Sequence, residues 1–343
     1  MSREKLEKAI TEHGEWTAMS IRLSDGTYTR QQDPDHRLRR LVQVAADASR
    51  KPLSECRVLD LACLEGHYAI EFAKHGAEAV GIEGRSVSVA KCNFVRDDLG
   101  LTRLSFIQDD VRNISRETHG QFDIVICSGI LYHLKAADAA ALVTKLAEVS
   151  RGIVLIDTFI ALSSQTKRVV DGTEVHGHIY FEHAADDSDE TKKSKLWSSL
   201  DNEDSFWFTE ATLVNLLQSA GFTTVSEILS PTMPGNLADR KTYLAIKGAP
   251  VRILTSEKTE CQPRHPIPEG KNIRVDASQH PRGVFYRIAK ALVPDGVKHG
   301  LKPALRAVRI LPPDGTPEFM KKKTSGHSSS ECAPVRVRKI GPR

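Results

Sequence analysis

The sequence predicts an α/β fold, a doubly wound and mostly parallel sheet of seven strands with helices on both faces. Three observations predict it. Short apolar runs alternate with stretches of helical periodicity from Cys56 onward. Helical stretches close on glycines such as Gly76 and Gly100, residues that end a helix readily. Apolar residues make up 40% of the 343 and charged residues 27%, a globular balance that excludes wholesale disorder.

Residues 1–50 read as an N-terminal helical and hairpin segment. HGEWTAMSIRLSDGTYT alternates weakly around a Ser-Asp-Gly turn, a hairpin pattern. Leu38, Leu41, Val42 and Ala45 then share one face of a helix predicted over 35–48. The body follows over 51–249, with strands predicted at 57–62, 78–83, 104–108, 122–127 and 153–157 and helices at 67–75, 87–99 and 136–150. Residues 158–205 break the rhythm with several histidines, an acidic run (Asp186, Asp187, Asp189, Glu190) and Lys192, Lys193 and Lys195. An insertion of this length is expected to be functional. The pattern resumes with a helix over 210–220, capped by Thr209 and Gly221. Strands at 223–229 and 242–247 are expected to pair as an antiparallel hairpin at the sheet edge.

Charge divides the chain. Residues 250–343 hold 19 Lys and Arg against 8 Asp and Glu, while residues 1–249 hold 29 against 36. Such a break marks an acidic body and a basic appendage with a different partner. Residues 250–311 are predicted as a basic helical extension, with Val297, Leu301, Leu305 and Val308 beside Lys298, Lys302, Arg306 and Arg309. That pattern suits docking on the body with solvated lysines first, then peripheral contact with an anionic membrane, and nucleic acid less well. Residues 312–343 read as a disordered tail. No run of 18 apolar residues predicts a transmembrane helix, and the charged N-terminus lacks a secretory apolar core. Cys56, Cys63, Cys92, Cys127, Cys261 and Cys332 show no C-x-x-C pair, so neither a zinc site nor a disulfide framework is expected. A reducing cytoplasm fits this usage.

The chemistry is concentrated in VLDLACLEGHYAIEFAKHGAEAVGIEGR. A buried strand ends in Asp60, a turn through Gly66 enters a helix, and a second strand ends in Glu83. An acid at that second position can accept both hydroxyls of a nucleoside ribose. A dinucleotide site would need G-x-G-x-x-G to admit a pyrophosphate. The loop A-C-L-E-G lacks that triplet, and Asp60 would repel a phosphate. A cofactor with an ammonium and a sulfonium but no phosphate suits it better.

On these residues the chain resembles the class I S-adenosylmethionine-dependent methyltransferases over roughly residues 56–248, which implies their Rossmann-like fold. The family reads close to V-L-D-x-G-x-G-x-G, matched by Val58, Leu59, Asp60, Ala62, Leu64 and Gly66, with Ala62 and Leu64 in place of glycines. The resemblance implies that S-adenosyl-L-methionine is the cofactor. It further implies that loop 60–66 wraps the methionine part, that Glu83 holds the ribose, and that Asp110 or the adjacent Asp109 meets the adenine amino group. FDIVICSGILYHL looks like the family's fourth motif, which brings Cys127, Ser128 and Gly129, with Tyr132 and His133, beside the cofactor. At Ala62 and Leu64 a residue with negative φ is expected to serve, since no pyrophosphate approaches.

A general base is needed only for a hydroxyl or protonated-amine acceptor. His133 is one candidate, against a plain turn-capping role. Glu182 and His183 are another, as a base with its orienting carboxylate, against a solvated surface pair. His176, His178 and His183 define no metal geometry, and no metal is expected. Trp197, Phe206, Trp207 and Phe208 either cover an acceptor or pack the insertion. The expected activity is methyl transfer to a small or medium acceptor, namely a sugar, glycolipid or secondary metabolite. Two alternatives stand beside it. One is a tRNA-modifying alkyltransferase of the wobble-uridine type, suggested by GILYH with a later FT-x-x-x-L helix and opposed by the acidic body. The other is a non-catalytic S-adenosylmethionine-binding or scaffold protein, suggested by Ala62 and Leu64.

Overall fold

The structure, a computed structural model, describes residues 2–31, 35–184, 186–229, 239–256 and 264–267. From residue 268 the predicted basic extension and tail lie outside the described residues, as do Cys261 and Cys332.

In chain order the elements are α1 (Ser2–His13), α2 (His36–Ala48), β1 (Arg57–Leu61), α3 (His67–Lys74), β2 (Glu78–Glu83), α4 (Ser86–Asp98) and β3 (Leu104–Gln108). They continue with α5 (Arg116–His119), β4 (Phe122–Ser128), α6 (Ala136–Val149) and β5 (Ser150–Phe159). An inserted part holds β6 (Thr166–Val170), β7 (Thr173–Phe181), α7 (Asp189–Ser194) and β8 (Asp204–Phe208), before α8 (Glu210–Ser219), β9 (Phe222–Glu227) and β10 (Arg240–Lys247).

The central strands are almost wholly apolar because helices cover both of their faces. Successive side chains alternate between the two layers. Val58, Ile124 and Ile126 pack with α2 and α3, while Leu59, Leu61, Val125 and Cys127 pack with α6 and α8. The seven-stranded sheet runs β3-β2-β1-β4-β5-β10-β9. Strands β1 to β5 are parallel, and β10 is antiparallel to both β5 and β9. The expected closing hairpin therefore forms, with β9 at the edge and β10 inside. Chain order reverses between β1 and β4, which opens a crevice at the carboxyl ends of those strands.

Two regions differ from the sequence reading. The first residues form α1, whose Leu6 and Ala9 pack with Trp16 in the α3 layer. The hairpin expected after it shrinks to one bridge, Arg22 with Tyr28. The insertion builds a second, three-stranded antiparallel sheet in the order β6-β7-β8. On β8 the period of two buries Phe206 and Phe208 in the main core and turns Trp207 to the other face.

Candidate active site

The loop after β1 makes three left-handed turns, at Ala62 (φ 50°), Leu64 (φ 52°) and Gly66 (φ 81°). The negative φ expected at Ala62 and Leu64 is therefore wrong. The path of the backbone demands the glycine-type conformation, and the two side chains bear its strain, roughly 1–2 kcal/mol each. Surrounding bonds hold it in place. The Leu64 amide donates to Glu83 Oε2 at 2.9 Å, the Cys63 amide to the Ile82 carbonyl at 3.0 Å, and Cys92 Sγ to the Leu64 carbonyl at 3.3 Å. At Gly66 a Cβ would meet Cys92 Sγ and Phe106 at 2.9 Å, so the position has no room for a side chain. Glu65, buried in the same loop, accepts successive amides of Thr17, Ala18 and Met19 at 2.7, 3.0 and 2.8 Å. This carboxylate ties the N-terminal segment to the loop, a role without any local signal in the chain.

Four acids line the strand ends. Asp60 Oδ2 accepts the Ala69 amide at 3.1 Å, and burial pushes its carboxyl up to about 7. Glu83 accepts Arg85 N–H at 2.9 Å on Oε1 as well as Leu64 N–H on Oε2, and burial again raises its pKa. Each oxygen keeps a lone pair. Asp109 Oδ1 accepts the Asp110 amide and Asn113 Nδ2, both at 2.7 Å. Asp110 caps the short 3-10 turn at Val111–Asn113 and grips Arg112 Nε at 2.9 and 3.0 Å. Burial alone would raise the Asp110 carboxyl, but the hydrogen bonds and charge of Arg112 prevail and hold it below its ordinary value. Cys127 points into the core, where burial pushes its thiol up to about 12, so contact from this residue can come through its backbone alone. Gly129 (φ 89°) ends the strand and donates its amide to the Asp157 carbonyl at 2.9 Å. Tyr68 lies buried in the first turn of α3.

A strap of the insertion, residues 195–202, crosses these strand ends. Arg85 Nη2 donates to the carbonyls of Lys195 and Ser198 at 3.2 and 3.1 Å, Arg112 pairs with Asp201, and Asn202 Nδ2 donates to the His133 carbonyl at 3.0 Å. Leu200 lies against Gly84, where a Cβ would meet it at 2.6 Å. The strap thus touches the loops after β2, β3 and β4, none of which is near it in sequence.

Beyond β4 the structure pairs His133 with Glu182, Nδ1 to Oε1 at 2.8 Å, with the Glu182 side chain 1% exposed. The expected partnership of Glu182 with His183 does not form. His183 turns inward and its Nε2 meets the Ser199 carbonyl at 2.7 Å. The Tyr132 ring packs on the His133 ring at 4.2 Å, and its oxygen accepts from Arg240 Nη1 at 2.8 Å. Arg240 is held by Asp157 Oδ1 through Nε at 2.6 Å, and Thr242 Oγ1 donates to Asp157 Oδ2 at 2.7 Å. From Arg240 a stack runs outward through Phe159, Trp207 and Tyr180, with ring centroids 4.8 Å apart at each step, to the exposed face of Tyr180. His176 bonds Ser164 and Glu174, and His178 meets the edge of Trp207. Among the described residues no group of three or more His, Cys, Asp and Glu is arranged to hold a metal ion. No described helix is long and apolar enough to cross a membrane.

The donor set fits S-adenosylmethionine. It is acidic where a phosphate would be repelled, it has a carboxylate with free lone pairs at the end of β2, and Gly66 lets the loop close tightly. Fold and site together have the arrangement of the class I S-adenosylmethionine-dependent methyltransferases. Residues 52–218 match the family described as a methyltransferase domain. The N-terminal domain of EvdMO1, solved in the presence of SAH and D-fucose, has 24% identity and a TM-score of 0.56, over 72% of this chain and 97% of that one. The same domain with SAH bound gives 24%, 0.55, 73% and 97%. At this identity the likeness concerns the fold. The 23S rRNA (uracil(1939)-C(5))-methyltransferase RlmD of Shewanella sediminis is 40% identical over 63 residues, 18% of this chain. That of Shewanella halifaxensis is 36% identical over 67 residues, 19% of this chain. The matches span 14% and 15% of those relatives' lengths.

Proposed function

We propose that this methyltransferase acts on a hydroxyl of a small, sugar-like acceptor, with His133 as the base and Glu182 as its positioning residue. The observation that carries the reading is the 2.8 Å contact between His133 Nδ1 and the buried Glu182 carboxylate. With Nδ1–H donated to Glu182, Nε2 is left as the acceptor that takes the hydroxyl proton. Bound S-adenosylmethionine supplies a methyl group on a positively charged sulfur. Loop 60–66, with Asp60, Ala62, Leu64 and Gly66, wraps its methionine part, Glu83 takes the ribose hydroxyls, and Asp109 and Asp110 flank the adenine. Ser128 and Gly129 border the methyl, with Cys127 contributing backbone. The stacked aromatics and the strap exclude water from the acceptor side. The D-fucose present with the EvdMO1 domain favours a sugar ring, and a glycolipid headgroup presents the same hydroxyl. The residues of the basic extension through which a membrane contact would run lie almost wholly outside those described.

The test is incubation with methyl-labelled cofactor and a panel of deoxysugars, glycolipids and bulk RNA. Label on a sugar oxygen is expected, and His133→Asn should slow it by about 10²–10⁴. RNA is the second reading, favoured by the short matches to the two ribosomal RNA enzymes. Label on RNA alone, with binding that weakens steeply as salt rises, would replace the sugar reading.

A further inference from the structure

Asp157 carries one negative charge and faces two guanidinium groups. Arg240 takes Oδ1 through Nε and Nη2, whereas Arg37 Nε stands 3.4 Å from Oδ2, which already accepts from Thr242. Arg240 therefore uses up the charge of Asp157, and Arg37, 45% exposed, is surplus. The other arginines at this end of the sheet are committed. Arg85 bonds two strap carbonyls, and Arg112 pairs with Asp110, Asp138 and Asp201. Asp35, two residues before Arg37, is engaged elsewhere: it caps α2 through the Leu38 amide and faces His67 at 3.6 Å.

The place of this surplus cation is defined. Asp157 pairs in register with Ser128, and α2, which carries Arg37, packs on both α3 and β5. Arg37 thus stands over the ends of β4 and β5, beside the first turn of α3 that follows loop 60–66. The amino-acid arm of the cofactor carries an ammonium, which the acidic loop suits, and a carboxylate, which needs a cation. We infer that Arg37 anchors the α-carboxylate of the cofactor, through donors that the long contact to Asp157 leaves available. A charge-assisted pair of this kind is the stronger class of hydrogen bond.

Calorimetry with two probes tests this. S-adenosylhomocysteine carries the amino-acid arm, and 5′-methylthioadenosine keeps the nucleoside and sulfur without it. Arg37→Gln is expected to weaken S-adenosylhomocysteine by about 10- to 100-fold and to leave methylthioadenosine within about twofold, while Arg37→Lys recovers part of the loss. Unchanged S-adenosylhomocysteine binding, or equal loss of both probes, overturns the assignment while wild-type binding stands. If wild type binds neither probe, the cofactor reading itself falls and the anchor falls with it.

Discussion

At the ends of β1 and β2, acids answer mainly to backbone. Asp60 accepts the Ala69 amide, Glu83 the Leu64 and Arg85 amides, and Glu65 three amides in a row. At the β4–β5–β10 end, side chains answer to distant side chains. His133 reaches Glu182 across 49 positions, Arg240 reaches Asp157 across 83, and Arg240 reaches Tyr132 across 108. Backbone partners are present whatever residue supplies them, so the first end is fixed by the path of the chain. Side-chain partners can be exchanged one at a time, so the second end is where a common fold takes on a particular acceptor. On the proposed function the first end would serve the cofactor, which does not vary, and the second would serve specificity.

The contrast can be broken at several points. The largest effect is expected at Asp157→Ala, which strands the largely buried Arg240 charge and should cost up to about 3–5 kcal/mol in urea unfolding. A loss near zero would mean that the distant network is not cooperative. Asp60 comes next. Its folded pKa of about 7 lies above the ordinary carboxylate value, so the folded chain holds a proton that the unfolded chain releases. Its contribution to stability is full below about pH 4 and is lost as pH rises to about 7, a change of at most roughly 4 kcal/mol. Asp60→Asn should flatten that slope, and an unchanged slope would show that Asp60 is not its source. The smallest effect is expected at Ala62→Gly, which relieves a left-handed alanine and should stabilise by about 1 kcal/mol. Destabilisation there would mean that the methyl group packs better than the backbone strains.

The same division separates what the sequence reveals from what it hides. Strands β1 and β2, the Thr209 cap and the closing hairpin are legible because each follows from local period or local turn chemistry. The acids at positions 60 and 83 are legible because the βαβ spacing places them. The φ values at Ala62 and Leu64 are not, since residue type alone suggests negative φ and the loop's hydrogen bonds impose the opposite. Glu182 and His183 are adjacent in sequence and part in space, because Glu182 finds His133 and His183 finds the Ser199 carbonyl. The strap and the Arg240–Asp157–Tyr132 network carry no local signal, since their partners meet only when the insertion and β10 dock. Helix α1 has few apolar residues, Leu6 and Ala9 among those buried, too few to stand out from a charged terminus.

Calorimetric titration of S-adenosylhomocysteine into wild type, Glu83→Ala and His133→Asn tests the division of labour most directly. Wild type and His133→Asn are expected to bind alike, and a folded Glu83→Ala to bind at least about tenfold more weakly. Equal binding by all three proteins, or a loss confined to His133→Asn, would contradict a cofactor end and an acceptor end arranged in this way.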